Sequence, residues 1–431
     1  MLTDGFTRWH RRLLQHSGIR YLLSVGAQAC VSGFHFVLNL LLLRELSQYD
    51  YGVFAFAFVL ALFAAAINNA LISTPLSVFT PVITNETQRH RSELMLSSVN
   101  LMFSVALLVA GLIYTFFNGL AADLSLSVTV FVACYSARQF SRSFGYTRMK
   151  PLVTAVGDLT YVGTGAILVV LALTQSETSS TAIMLLALAS ANGVAMLVER
   201  LLLHGAAAFR FSLNVIGGYR DIWHQSRWAL VGAVTTLLIA QAHSLIVTGA
   251  LGPDAFAPLA AGFVLFGPVR VALLTWQNMV KPEMAVALSQ ARHNVVRLQI
   301  RRTTLYMVSA LFVFGAALYL LWPQIHTALY AVRYADEPMG FIVAIWFLTT
   351  IAATLYNAPS AGLQALRDFR ILAIGSVMGA LISLVGVVGI LQLSNPAMTL
   401  FATLAAELFL AGFLLVVIHR KLSQPVTGAL A

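Results

Sequence analysis

Charged residues are scarce in this sequence, and acidic residues are the scarcest. Only 10% of its 431 residues are charged, with 16 Asp+Glu against 26 Lys+Arg. An ordinary soluble protein is about 25% charged. Because 59% of the residues are apolar as well, this composition excludes a soluble globular protein.

Cysteine is nearly absent too. Cys30 and Cys134 are the only two cysteines, and both lie within apolar runs. They provide neither a disulfide framework nor a cysteine-based zinc site. The sequence therefore indicates no redox compartment and no metal site.

Catalytic and nucleic-acid-binding patterns are also missing. A nucleic-acid partner needs basic residues concentrated on one exposed face, but here a net charge of +10 comes from basic residues interleaved with apolar runs. No Gly-rich phosphate loop, His/Glu metal spacing or Ser/His/Asp set stands out. We therefore predict no enzyme, no nucleic-acid partner and no organic cofactor.

Long apolar stretches dominate what is present. A helix that crosses a bilayer needs about 20 mostly apolar residues, and twelve stretches of this kind occur. Their limits are 21–43, 51–80, 94–117, 120–141, 152–173, 181–203, 228–251, 255–280, 303–322, 339–361, 371–393 and 396–418. The sequence predicts an all-α integral membrane protein with 12 transmembrane helices.

The basic residues predict how these spans are oriented. Lys and Arg are retained on the cytoplasmic side during insertion, and nearly all of them fall at the termini or after even-numbered spans. Only Arg44 and Arg333 lie in connections predicted to be external, while Arg270 lies within a span. Both termini are therefore predicted to be cytoplasmic, with short external connections.

A faint repeat suggests two lobes of six helices. Residues 43–52 align with residues 248–257, and both segments are short turns between long spans. Six spans separate the two copies, so they have the same orientation, as in parallel repeats. The predicted organisation is a basic segment at 1–20, an N-lobe at 21–203, a linker at 204–227, a C-lobe at 228–418 and a tail at 419–431. Segment 1–20 is read either as an interfacial helix or as a basic retention tail.

One segment resembles a known family. Residues 39–54, which read NLLLLRELSQYDYGVF, resemble the first-helix signature of the bacterial polysaccharide-transporter family, which contains the Wzx-type flippases. Gly252-Pro253 and residues 359–370 add weaker matches. The family belongs to the multidrug/oligosaccharidyl-lipid/polysaccharide (MOP) exporter superfamily, which also holds multidrug extruders and the lipid II flippase.

The resemblance implies a fold and a function. It implies a V-shaped pair of six-helix lobes in the bacterial inner membrane, working by alternating access. The implied substrate is a polyprenyl-pyrophosphate-linked oligosaccharide for O-antigen, capsule or exopolysaccharide synthesis. The implied partners are membrane lipids, a polysaccharide polymerase and a chain-length regulator.

Arg270 is the sharpest candidate for a binding residue. A charge deep in a span is costly, so it usually faces a cavity or a partner. Gln277 lies seven residues on, near the same helical face, and Gly267-Pro268 predicts a kink just before it. We predict that Arg270 meets the substrate diphosphate, since a guanidinium suits phosphate oxygens. The alternative is a salt bridge to Glu407.

Polar stripes mark further candidates. Gln28, His35 and Asn39 share one face of the first span, Asn69 and Ser73 share a face of the second, and the seventh span contains His243. These faces predict a hydrophilic cavity wall that contacts sugars. Polar residues equally serve as contacts between packed helices, so that interpretation stays open for each residue.

Asp158 and Glu407 are the candidates for ion coupling. Either carboxylate is a candidate site for a coupling ion, which would be H+ or Na+. Alternatively, Asp158 forms a structural pair with Arg138, which lies at a similar depth in the neighbouring span.

Three other functions compete with the polysaccharide flippase. A multidrug exporter of the same superfamily would favour a cavity carboxylate, whereas the deep charge here is the positive Arg270. The lipid II flippase usually has additional spans and several cavity arginines. A membrane glycosyltransferase or polysaccharide polymerase would carry its chemistry in a sizeable external loop, and the longest external connection predicted here, at 323–338, is short.

Overall fold

The computed structural model describes residues 17–118, 122–175, 181–203, 210–290, 292–366 and 368–423. Within these ranges the chain forms helices and no β-strand. Ten helices are long and apolar enough to cross a membrane, or eleven if one bent pair counts as a single span. The predicted all-α membrane fold is confirmed. Residues 1–16, 204–209 and 424–431, within the predicted N-terminal segment, linker and tail, lie outside the described residues.

The helices match the twelve predicted spans. In chain order they are α1 (Ser17–Glu45), α2 (Gln48–Asn68), α3 (Thr74–Phe79), α4 (Glu86–Asn118), α5 (Ala122–Thr147), α6 (Pro151–Gln175), α7 (Thr181–Leu202), α8 (Tyr219–Leu251), α9 (Pro253–Val264), α10 (Gly267–Ser289), α11 (His293–Leu320), α12 (Trp322–Leu329), α13 (Met339–Ala365), α14 (Phe369–Leu393) and α15 (Leu400–Ser423). α2 and α3 form one span, and α9 and α10 are the bent pair. α5 is the predicted span that is not among these helices of the described chain, and it carries Asp123, Arg138 and Arg142.

The chain divides into two compact units. Unit 1 holds the described residues up to Leu38 together with Ala57–Leu230. In it, α7 packs against both α5 and α6. An apolar core that includes Leu76 and Phe140 fixes α3 against α5.

Unit 2 holds Asn39–Phe56 and the described residues from Val231 onward. α13 packs against α10, α11 and α15, while α14 packs against α15. Met284, Ile300 and Leu414 meet in its larger apolar core. α13 therefore occupies the middle of this unit.

Residues 39–56, predicted to belong to the N-lobe, make their contacts in unit 2. The Arg333 guanidinium donates from Nε to the Arg44 carbonyl and from Nη2 to the Glu45 carbonyl, both at 2.8 Å. These are the last carbonyls of α1, which have no partner within their own helix. Arg333 thus caps α1 and holds the α1–α2 turn to unit 2.

Two tight turns occur where the sequence predicts them. Gly252 alone joins α8 to α9, with a φ of 90° that only glycine adopts readily. Ser394 and Asn395 join α14 to a short 3₁₀ turn before α15, and the Asn395 side chain accepts a hydrogen bond from the Ala397 N–H at 2.9 Å.

Two spans are interrupted. A π-helical turn at Asn69–Ser73 separates α2 from α3, whose second residue is Pro75. α9 and α10 meet at an angle of 58°, and Pro268 is the second residue of α10. Proline removes a helical hydrogen bond and clashes with the preceding turn, so the kink predicted at Gly267-Pro268 is confirmed.

We expect Gly52→Ala to destabilise the protein. A Cβ at Gly52 would collide with the Pro253 carbonyl, and overpacking of this kind costs about 1–3 kcal/mol. Thermal unfolding of the full chain in detergent measures the effect. Gly249→Ala is the matched control, because it also lies in a helix but has nothing within 4 Å of the added carbon. Equal melting temperatures for the two variants would contradict the expectation.

Candidate functional site

A buried ion network lies in unit 1. Arg138 Nη2 donates to Asp158 Oδ1 at 2.5 Å, and Arg142 Nη2 donates to Asp158 Oδ2 at 3.1 Å. Arg138 is 1% exposed and Asp158 is 0% exposed. Arg142 also donates to the Gln28 side-chain oxygen and so links the network to α1. The pair considered for Asp158 and Arg138 is present, and Arg142 completes it.

Aromatic and imidazole rings surround this network. The Arg138 guanidinium carbon lies 4.1 Å from the centroid of the Tyr161 ring, which is a cation–π distance. The Tyr161 hydroxyl and His35 Nε2 are hydrogen-bonded at 2.8 Å. His35 therefore participates in a chain of polar contacts that joins α1, α5 and α6.

A second carboxylate, Glu199 of α7, is buried beside the network. The Ser141 hydroxyl donates to its Oε2, and Gly157 leaves the space that the carboxylate fills. Arg138, Ser141 and Arg142 share one face of α5 because they are three and four residues apart. With Glu199 ionised, two carboxylates balance two guanidinium groups.

The polar residues of unit 1 that were predicted to form a cavity wall lie in different surroundings. Gln28 and Asn69 are exposed, and His35 is half-buried. Ser73 is 3% exposed, and its hydroxyl donates to Asn68 Oδ1 at 3.2 Å. Asn68 in turn donates to Asn100 Oδ1 of α4 at 2.7 Å. Ser73 thus serves as an internal polar contact, contrary to the prediction that it lines a cavity.

Arg270 lies near the start of α10, just after the kink. Its guanidinium carbon is 4.6 Å from the centroid of the Phe263 ring. The side chain is exposed on the surface of unit 2. Among the described residues, no carboxylate lies within ion-pair distance of it.

Glu407 is the carboxylate whose charge acts on Arg270. It is 5% exposed, and its electrostatic partners are the Tyr356 side chain and Arg270. Its Oε2 has no hydrogen-bond partner in the part of the chain that the structure describes. The salt bridge considered between Arg270 and Glu407 is therefore not formed, although the two charges interact electrostatically.

Three other predicted residues of unit 2 differ in their surroundings. His243 is 2% exposed, and its ring nitrogens lie 3.1 Å from the Ser244 hydroxyl and 3.3 Å from the Thr403 hydroxyl. This places His243 in the packed interior, contrary to the prediction of a cavity wall. Asn39 is half-buried. Gln277 lies in α10 as predicted, and its side chain is outside the described part of the structure.

Several residues of these clusters were not predicted. Arg142 was assigned to a cytoplasmic connection, because the apolar run ends near residue 141 although α5 continues to Thr147. Glu199 and Tyr161 were not considered. One signal for Arg142 was available in the sequence. Arg138 and Arg142 are one helical turn apart, and the neighbouring span carries Asp158. Nothing in the sequence pointed to Phe263 or Tyr356.

No group of three or more His, Cys, Asp or Glu residues that could hold a metal ion occurs among the described residues. The clusters contain arginines, carboxylates and hydroxyl groups, whose chemistry is the binding of ions and polar groups. These clusters therefore support ion pairing and the recognition of charged or polar groups.

Comparisons with known proteins show the fold. No family model and no curated protein matches the chain. An inward-facing multidrug resistance MATE family transporter of the MOP superfamily is similar at 12% identity, with a TM-score of 0.66 and 94% of each chain covered. The lipid II flippase MurJ in an inward closed conformation is similar at 15% identity, with a TM-score of 0.63, 92% of this chain and 87% of that chain covered. The chain therefore has the fold of MOP-superfamily transporters.

We expect Asp158→Asn to destabilise unit 1 strongly. Removing one partner of a buried ion pair leaves uncompensated charge and costs about 3–5 kcal/mol, here on Arg138 and Arg142. Thermal unfolding in detergent is the measurement. Asp368→Asn removes the carboxylate of the more exposed Lys421 pair and should cost at most about 1 kcal/mol. A loss no larger for Asp158→Asn than for this control would refute the expectation.

Proposed function

We propose that this chain is a flippase that translocates polyprenyl-diphosphate-linked oligosaccharides across the bacterial inner membrane. Its product would serve the synthesis of a surface polysaccharide such as O-antigen, capsule or exopolysaccharide. The transporter fold supports membrane translocation in general. The observation that supports an anionic substrate is the exposed guanidinium of Arg270 in a kinked membrane span.

The surroundings of Arg270 suit a diphosphate. An exposed arginine with no carboxylate in contact retains its donors for a ligand, and a guanidinium fork matches phosphate oxygens in a bidentate way. The Phe263 ring covers one side of the group and so restricts its orientation. The break before α10 places Arg270 within the first turn of a new helix, where the helix dipole also favours an anion.

Exposed amides would bind the sugars. Gln28 and Asn69 of unit 1 are accessible, and amide groups both donate and accept hydrogen bonds. Such groups bind hydroxyl-rich molecules without requiring one particular sugar.

Between the two ion-coupling candidates, the contacts favour Glu407. Asp158 already accepts hydrogen bonds from two arginines, one on each carboxylate oxygen. Glu407 has one oxygen without a hydrogen-bond partner among the described residues and feels the charge of Arg270. Because Glu407 and Arg270 interact electrostatically, a diphosphate bound at Arg270 and a proton bound at Glu407 would influence each other, which couples substrate to H+.

Arg270 variants test the substrate proposal. In vesicles containing the purified protein and a fluorescent polyprenyl-diphosphate oligosaccharide, we expect Arg270→Ala to slow translocation by roughly tenfold to a hundredfold, as expected for loss of charge-assisted hydrogen bonds. Arg270→Lys should restore part of the rate, because it keeps the charge without the fork. Arg370→Ala, an exposed arginine of the same unit, should keep the full rate. Unchanged translocation by both Arg270 variants would end the proposal.

Glu407→Gln tests the coupling. A variant that cannot titrate should translocate at the same rate with and without an imposed pH gradient, whereas the parent protein should accelerate when the gradient is applied. An imposed Na+ gradient serves as the parallel condition. Retention of the full pH response by Glu407→Gln would contradict the assignment.

The multidrug exporter remains the second candidate, and the same vesicles separate it from the flippase. A drug exporter would move lipophilic cations and would be indifferent to loss of Arg270. Accumulation of polyprenyl-linked repeat units in a strain lacking the gene would support the flippase.

A further inference from the structure

A groove of about 890 Å³ opens on the surface of unit 2 beside α11 and α15. Leu305 and Val308 of α11 form one wall, and Leu415 and Val416 of α15 form the other. Leu305 is 60% exposed and Val416 is 51% exposed. The groove is therefore open along its length and is not an internal cavity.

The walls of the groove are apolar. Ile300 and Leu355 continue them. Thr304 is the one uncharged polar residue in the lining, and its hydroxyl oxygen is buried away from the surface. The groove thus presents hydrocarbon to whatever occupies it, and only an apolar occupant fits such walls.

Charge is confined to one end. Arg297, Arg301, His419 and Arg420 line that end, and no acidic residue lines the groove in the part of the chain that the structure describes. Neighbouring Lys421 is paired with Asp368 at 2.8 Å. Arg301 and Arg420, by contrast, have no carboxylate within ion-pair distance among the described residues.

The dimensions match one leaflet of a bilayer. From Arg297 to Val308 the helix rises by about 16 Å, at about 1.5 Å per residue. The hydrocarbon core of a bilayer is about 30 Å thick, so one leaflet spans about half of it. The basic end then lies at the membrane surface, and the basic-residue pattern predicts that this is the cytoplasmic surface.

We propose that this groove binds a diacyl phospholipid with an anionic headgroup. The acyl chains lie along the walls of α11 and α15, and the phosphate is held by Arg301 and Arg420. Basic pockets between membrane helices on the cytoplasmic side are suited to anionic headgroups. A transported polyprenyl lipid suits the groove less well, because its single chain is much longer than one leaflet. The site is separate from Arg270 and does not depend on the proposed transport function.

Retention of lipid by the purified full-length protein tests the proposal. The protein is exchanged into equimolar phosphatidylglycerol and phosphatidylcholine, and the lipid that stays bound is identified by native mass spectrometry. We expect the parent protein to retain phosphatidylglycerol in preference. The double variant Arg301→Gln/Arg420→Gln should lose that preference. Each arginine removed should weaken retention of phosphatidylglycerol by about fivefold. Arg302→Gln is the matched control, since Arg302 is exposed on the same helix but does not line the groove.

A groove-filling variant provides a second readout. Val416→Trp should reduce retention of both phospholipids, whereas Val313→Trp, at a 72% exposed position on α11 outside the groove, should not. Equal retention of the two lipids by the parent protein, or an unchanged preference in the double arginine variant, would overturn the proposal. Displacement of phosphatidylglycerol by equimolar polyprenyl phosphate would also overturn it and would assign the groove to the transported lipid. Because binding is measured without transport, these outcomes are independent of the flippase proposal.

Discussion

A membrane interior offers charged groups no water, and this constraint governs where every charge in these helices lies. In unit 1 it is met by pairing, since Asp158 accepts hydrogen bonds from Arg138 and Arg142. In unit 2 it is met by exposure, since Arg270 is exposed at the surface. A paired charge contributes to structure, whereas an accessible charge can bind a ligand. The same constraint therefore separates a structural network from a candidate binding site.

Kinks and caps position these groups. α10 starts at an angle of 58° to α9, so Arg270 lies off the axis of α9. Arg333, located between α12 and α13, holds the end of α1 by capping its last carbonyls. In both places a helix end supplies unsatisfied backbone groups, and an arginine lies beside them. Helix ends and interruptions thus position two arginines of unit 2, Arg270 and Arg333.

The spans could be predicted because hydrophobic length is a local property of the sequence. The kink at Gly267-Pro268 was equally local, since proline acts on its own helix. Burial of Ser73 and His243 could not be predicted, because it depends on which face a neighbouring helix covers. Glu199 escaped notice for the same reason, since its partner Ser141 is 58 residues away in the chain. The assignment of residues 39–56 to unit 2 likewise rests on contacts with distant Arg333 and Pro253.

The π-helical turn at Asn69–Ser73 has a consequence for how the second span should be compared with other sequences. Such a turn accommodates one extra residue relative to a regular α-helix. Side chains beyond it are rotated by about 100° from the positions that an uninterrupted helix would give them. A homologue that lacks one residue in this segment and has a regular α-helix there would present the same face at Pro75 and beyond. Alignments through this span therefore need a gap at the turn before equivalent side chains can be matched.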